Sequence, residues 1–217
     1  RALAAEAVRT IFSVLEPADE VAFLVFARDV AVPLRWTSPA NVPGLDWAQW
    51  VMADGTALYD GVRAALRLMD TASRQQRAVV VVSDGEESGS TVELSSLVST
   101  RRQSEAQVFG FFADVPNTDR GLMPHEVATR LRQPPRQDLG SVVGDSGGVV
   151  YSIADSNGIV AATLSLISDL RGQYTISYRP KAAMDGKYRR VRERTVDDQY
   201  RVRHRGGYLA LPTPGQP

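Results

Sequence analysis

Arg77-Ala78-Val79-Val80-Val81-Val82-Ser83-Asp84-Gly85-Glu86-Glu87-Ser88 is the stretch on which the fold turns. Four consecutive valines leave no polar face, the pattern of a strand covered on both sides in a parallel sheet. The run ends on Ser83-Asp84-Gly85, which sets a carboxylate at the carboxyl end of a buried strand. An unpaired charge is costly to bury there, and α/β sheets bind their ligands in the loops beyond that end.

Upstream, Leu58, Val62, Ala65, Leu66 and Met69 recur at helical spacing and predict a helix leading into the valine strand. Val21 to Phe26 predicts a second buried strand. Val8, Ile11, Phe12 and Leu15 predict a helix before it, broken by Glu16-Pro17-Ala18-Asp19. Val30 to Trp36 contains Pro33, which lacks a ladder donor, and reads as an edge strand entering a Pro-rich loop. Downstream, Ser90 and Glu93 suit a capping box for a helix that turns Leu94, Leu97 and Val98 inward, and the strand Val108 to Phe112 follows. Pro116 to Gln137 reads as a loop with a short helix around His125 to Leu131. Gly147-Gly148 introduces the strand Val149 to Ile153, and Ile159, Thr163, Leu166, Ile167 and Leu170 form a last helix, with Gly172 as a left-handed cap. This alternation predicts an α/β fold with a Rossmann-like, doubly wound, mostly parallel sheet.

From Arg171 onward eleven Lys/Arg stand against four Asp/Glu, although the whole chain is formally neutral. In that tail Tyr174 to Tyr178, Tyr188 to Thr195 and Tyr200 to Arg205 alternate between turns and predict a small antiparallel extension. The 217 residues, 43% hydrophobic and 23% charged, are enough for a real core. No run approaches the roughly 20 apolar residues of a membrane span. Without cysteine there is no disulfide, thiolate zinc site or cysteine nucleophile, and His125 and His204 are the only candidate nitrogen ligands. The first residue is Arg1, within a helix already in progress and with no signal-peptide pattern, so an upstream segment is expected to have been removed.

Two loops lie at the carboxyl ends of the strands. In Ala53-Asp54-Gly55-Thr56-Ala57-Leu58, Thr56 offers a hydroxyl at a helix start after a glycine that permits a sharp turn. With Asp84 it makes an oxygen set suited to magnesium or manganese. Each alone has a plainer explanation, Thr56 as an N-cap and Ser83-Asp84-Gly85 as a turn, and only their joint occurrence favours a metal site.

Gly55-Thr56-Ala57-Leu58-Tyr59-Asp60-Gly61-Val62 followed by the valine stretch resembles the second and third metal-site segments of von Willebrand factor A (VWA) domains. The segments ADEVAFLVF, SGGVVYSI, LRGQYTISYRP and VRHRGGYLA are similar, in order and spacing, to bacterial VWA-related proteins of the acidobacterial type. The resemblance implies a VWA domain over residues 1–172, a β extension over 173–211 and a flexible tail over 212–217. It implies a metal-ion-dependent adhesion site in which Thr56 and Asp84 are metal ligands for Mg2+, or for Mn2+ or Ca2+. The family's DxSxS motif, on a first strand between Val21–Phe26 and Ala78–Val82, has no counterpart, so the chain is expected to be a fragment lacking that strand, in preference to one that takes a substitute strand from its appendage or a partner. The implied function is non-enzymatic: a protein ligand is bound through an acidic side chain, with no organic cofactor and an extracytoplasmic, periplasmic or secreted location.

Other functions fit less well. Asp54-Gly55-Thr56 is similar to the DGT of haloacid dehalogenase-type phosphatases, but Met52 occupies the place of their nucleophile. A GxSxG nucleophile is not expected, and His125 has no recognisable serine partner for a hydrolase triad. Arg189, Arg190, Arg192, Arg194, Arg201, Arg203 and Arg205, with Tyr188 and Tyr200, could bind an anionic polymer. A solvated arginine face with Val191, Val202 and the tyrosines packed inward accounts better for the same alternation, so nucleic acid is not the expected partner. The remaining alternative is a VWA scaffold whose metal site has decayed and whose protein binding needs no metal. Trp36, Trp47, Trp50 and Met52 flank the long loop and are expected to staple it to the core.

Overall fold

The computed structural model describes residues 2–42, 55–113, 137–178, 180, 184–197, 199–200 and 202–211. The valine stretch forms strand β3 (Ala78–Ser83), which pairs in parallel with β4 (Gln107–Ala113). β4 pairs in parallel with β5 (Val150–Ile153), giving the order β3-β4-β5. Successive side chains of a strand point to opposite faces, and both faces of this sheet are covered. Val79, Val81, Val108 and Phe112 pack on one side against α2 (Leu58–Leu68), α3 (Leu94–Gln103) and α4 (Gln137–Asp145). Val80, Val82, Phe109 and Phe111 pack on the other against α1 (Ala2–Ser13) and α5 (Ser156–Arg171). Gly110 falls on β4 where a Cβ would lie 2.2 Å from the Phe112 ring. The sheet with helices on both faces is the expected α/β, Rossmann-like arrangement.

β1 (Val21–Phe26) and β2 (Val30–Thr37) form a separate antiparallel pair, with register shifts on either side of Phe23. The edge-strand reading of the Pro33 segment holds, and Trp36 Nε1 donates to Thr71 Oγ1 at 2.8 Å, tying β2 to the turn after α2. Trp47, Trp50, Met52 and His125 lie outside the described residues, as does the short helix expected around His125 to Leu131. Between β1 and β3, two strands that do not pair, runs a slot of about 1360 Å³ lined by every residue of both strands and by parts of α1, α2 and α5.

Three local expectations are corrected. Ser90 does not cap α3: its hydroxyl oxygen accepts from the N–H groups of Tyr59 and Asp60, the first turn of α2, at 3.0 and 3.2 Å. Glu93 itself is the N-cap of α3, with no side-chain bond. Gly172 is not left-handed (φ −87°), because its N–H still bonds Ser168 O at 2.9 Å. Glycine suits it by close approach, since a Cβ would lie 2.9 Å from that same carbonyl. Among its described residues the tail forms one short antiparallel pair, β6 (Tyr188–Arg190) with β7 (Gly207–Leu209), rather than three extended stretches. Tyr200 and Val202 are exposed, not packed inward, because the segments that carry them pair with no strand among the described residues. Helix α4 went unread in a segment with few large apolar residues, although Leu139, Val142 and Val143 are buried at helical spacing. Among the described residues no helix is long and apolar enough to cross a membrane.

Candidate metal centre

β3 ends at Ser83, and Asp84 follows on an exposed turn. Its Oδ1 accepts from the Glu86 N–H at 3.0 Å and from Ser83 Oγ at 3.4 Å, and Gly85 at φ 78° lets the chain reverse. The exposure removes the burial argument for a cation made from sequence: water already solvates this carboxylate. On the neighbouring loop Gly55 (φ 88°) turns the chain into Thr56, and Ala57, the N-cap of α2, bonds back to Ala27 O beyond β1 at 2.6 Å. Thr56 is not an N-cap, and its hydroxyl has no hydrogen-bond partner among the described residues. Thr56 and Asp84 line the same slot, at the carboxyl ends of β1 and β3.

Sequence reading missed what holds these two loops together. Ser88 N–H donates to Thr56 O at 3.0 Å, and Thr56 N–H donates to Ser88 Oγ at 3.2 Å. Glu87 sits over the start of α2, where helix N–H groups lack intrahelical partners. Its Oε1 accepts from the N–H groups of Gly89 (2.9 Å) and Ser90 (2.7 Å), and its Oε2 from Ser90 Oγ (2.7 Å) and the Tyr59 N–H (3.0 Å). Burial would raise the Glu87 pKa, but the bonds from Ser90, Tyr59 and Gly89 outweigh it and hold the carboxyl below its usual range. Asp60 completes the clamp by accepting from the Thr91 N–H at 2.7 Å. The available signal was the acidic and hydroxyl density of Asp84 to Thr91.

The oxygen donors fit magnesium or manganese in kind. They fall short in number, since no group of three His, Cys, Asp or Glu able to hold a metal occurs among the described residues.

No protein-family model matches the chain, and no curated protein matches it. Solved structures do. A von Willebrand factor type A structure from Catenulispora acidiphila aligns over 79% of this chain with a TM-score of 0.56 at 15% identity, and the chain spans 38% of that one. The fold is that of a VWA domain. An aerotolerance-related membrane protein from Bacteroides fragilis aligns over 79% of the chain and 88% of its own, with TM-score 0.51 and 17% identity. BatB, a conserved hypothetical protein from Bacteroides thetaiotaomicron, aligns over 78% and 87%, with TM-score 0.51 and 18% identity.

The expected absence of a GxSxG is corrected: Gly144-Asp145-Ser146-Gly147-Gly148 has the flanking glycines of a hydrolase nucleophile. Ser146 lies between a helix and the following strand, not on a strand-to-helix elbow, and is 2% exposed. Its Oγ donates to Val143 O at 2.6 Å and accepts from Val108 N–H at 2.8 Å, so it joins α4 to β4 and is not presented to a substrate. His204 bonds Arg205 O through Nδ1 at 2.8 Å, away from the slot. In the basic tail Arg189 pairs with Asp185 at 2.9 Å and Arg203 with Asp169. Arg201 lies outside the described residues.

Proposed function

We propose that this VWA domain is a non-enzymatic protein-binding module whose Thr56 and Asp84 hold a divalent cation, Mg2+ or else Mn2+ or Ca2+. The cation would present a positive centre to an acidic side chain of the protein ligand. The observation that carries this reading is that two oxygen donors from different loops line the mouth of one slot, on loops locked together by Ser88 and Glu87. Thr56 offers a hydroxyl with no competing partner among the described residues, and Asp84 a carboxylate already oriented by the Glu86 N–H. Further donors are required, and a strand seated between β1 and β3 would end beside both residues. An extracytoplasmic location goes with this reading and rests on the family resemblance.

The test is magnesium titration by calorimetry on this chain and on the chain carrying an added amino-terminal strand with a DxSxS motif. Saturable binding in the extended chain, abolished by Asp84→Ala and by Thr56→Val, is the expected result. Absence of binding in both forms would overturn the metal site, and partner binding in chelator would then favour the metal-independent scaffold.

A further inference from the structure

Away from the slot, the end of α3, the end of α4 and the β6–β7 hairpin bring three guanidinium groups together. Arg101 is 1% exposed, and its Nη groups donate to Ser104 O at 3.3 Å and to the backbone carbonyl of Asp145. Arg102 places its guanidinium 4.5 Å from the centre of the Tyr188 ring. Arg205 donates to Arg102 O at 3.0 Å. The Nε atoms of all three are buried with no hydrogen-bond partner. None of the three forms an ion pair with a carboxylate of a described residue. The one acidic side chain that the described residues place in the cluster, Asp145, is engaged by the Tyr188 hydroxyl at 3.2 and 3.4 Å.

Among the described residues three cations therefore share one carboxylate in a place largely withdrawn from water, where uncompensated charge is costly and like charges repel. Burial and the Arg205 charge both press on Arg101, lowering its pKa, and it remains a cation because guanidinium is so basic. The hairpin carrying Arg205 nevertheless seats tightly here: a Cβ on Gly206 would meet Asp145 Oδ1 at 2.3 Å, and one on Gly147 would meet the His204 backbone at 2.9 Å. Arginine is the residue suited to planar, bidentate recognition of tetrahedral oxyanions.

We propose that Arg101, Arg102 and Arg205 form a binding site for a small dianionic oxyanion of the phosphate or sulfate class. The anion supplies negative charge that the described residues leave short, and is held by the half-buried guanidinium groups of Arg102 and Arg205. Arg102 and Arg205 are half-buried and give access, whereas the depth of Arg101 restricts the ligand to a small free anion. This site is independent of the cation proposed at the slot.

The experiment is calorimetry and thermal melting of the full chain with inorganic phosphate and with sulfate, against chloride at equal ionic strength. Phosphate and sulfate are expected to bind saturably and to raise the unfolding midpoint beyond chloride. Arg102→Gln and Arg205→Gln are each expected to weaken binding roughly ten- to a hundredfold, the loss of a charge-assisted contact. Asp145→Asn keeps an acceptor for the Tyr188 hydroxyl but removes the competing charge, and is expected to tighten binding, which mere loss of packing would not do. Equal effects of chloride and phosphate, undiminished binding in both arginine variants, or weaker binding in a folded Asp145→Asn chain would each overturn the site.

Discussion

Glu87 and Asp84 are three residues apart and do different work. Asp84 is exposed at the mouth of the slot, so Asp84→Ala is expected to leave stability within about 0.5 kcal/mol, as surface substitutions do, while removing magnesium-dependent partner binding. Denaturant unfolding and a pull-down with and without chelator check both halves. Glu87 instead holds the loop to α2, and removing its acceptors is expected to cost about 1 kcal/mol, below the roughly 1.5–3 kcal/mol of a charged hydrogen bond because the side chain is only half-buried. Its folded pKa is depressed, so this stabilisation is present above the unfolded glutamate pKa and is lost as pH falls through the folded value. Stability of the natural chain should therefore drop on acidification below the usual glutamate range, and the drop should be smaller in Glu87→Gln, as read from unfolding midpoints across pH. Asp84 and Thr56 could be picked out from their strand and turn context. Glu87 could not, because the start of α2 that it holds, at the Tyr59 N–H, is a distant stretch of the chain brought to it only by folding.

At the scale of elements, two glycines make opposite predictions. Gly61 lies where α2 crosses β1, and a Cβ there would sit 2.7–2.8 Å from Phe26 atoms. Gly61→Ala is expected to cost about 1–3 kcal/mol by overpacking. Gly144 lies in α4 with nothing within 4 Å of a Cβ, so Gly144→Ala is expected to gain roughly 0.5–1 kcal/mol from helix propensity. Thermal melts of the two single variants decide the signs. The strands and the amphipathic helix α2 were legible because burial imposes a period on their side chains: β3 and β1 fall on the expected residues within one position. Caps were not, because Ser90 could equally serve the helix that follows it or one brought near by folding, and only the tertiary arrangement chose α2.

For the whole molecule the slot is the dominant feature. In a parallel pair each strand turns half its N–H groups toward its neighbour, so β3, bonded among the described strands only to β4, presents the other half to the slot. In hydrogen exchange the slot-facing amides of β3 and β1 are expected to exchange faster than those of β4, which is paired on both sides, and to become protected when a strand occupies the slot. Equal protection of β3 and β4 in the chain alone would mean that β3's free edge is already paired. The tail was misread at this scale for a related reason. Alternation of arginine with valine and tyrosine is compatible with pairing, but a strand exists only where a partner lies alongside, and among the described residues of the tail only Tyr188–Arg190 and Gly207–Leu209 find one another.

The amino-acid sequence by itself determined the α/β class, the buried parallel valine strand and the two loops carrying Thr56 and Asp84, because local burial writes its period directly into the residue order. Tertiary structure alone decided that these loops share one mouth, that Ser146 is sealed inside despite its flanking glycines, and that Arg101, Arg102 and Arg205 converge. Those facts depend on contacts between segments up to about a hundred residues apart, and no local pattern records which distant residue a side chain will meet.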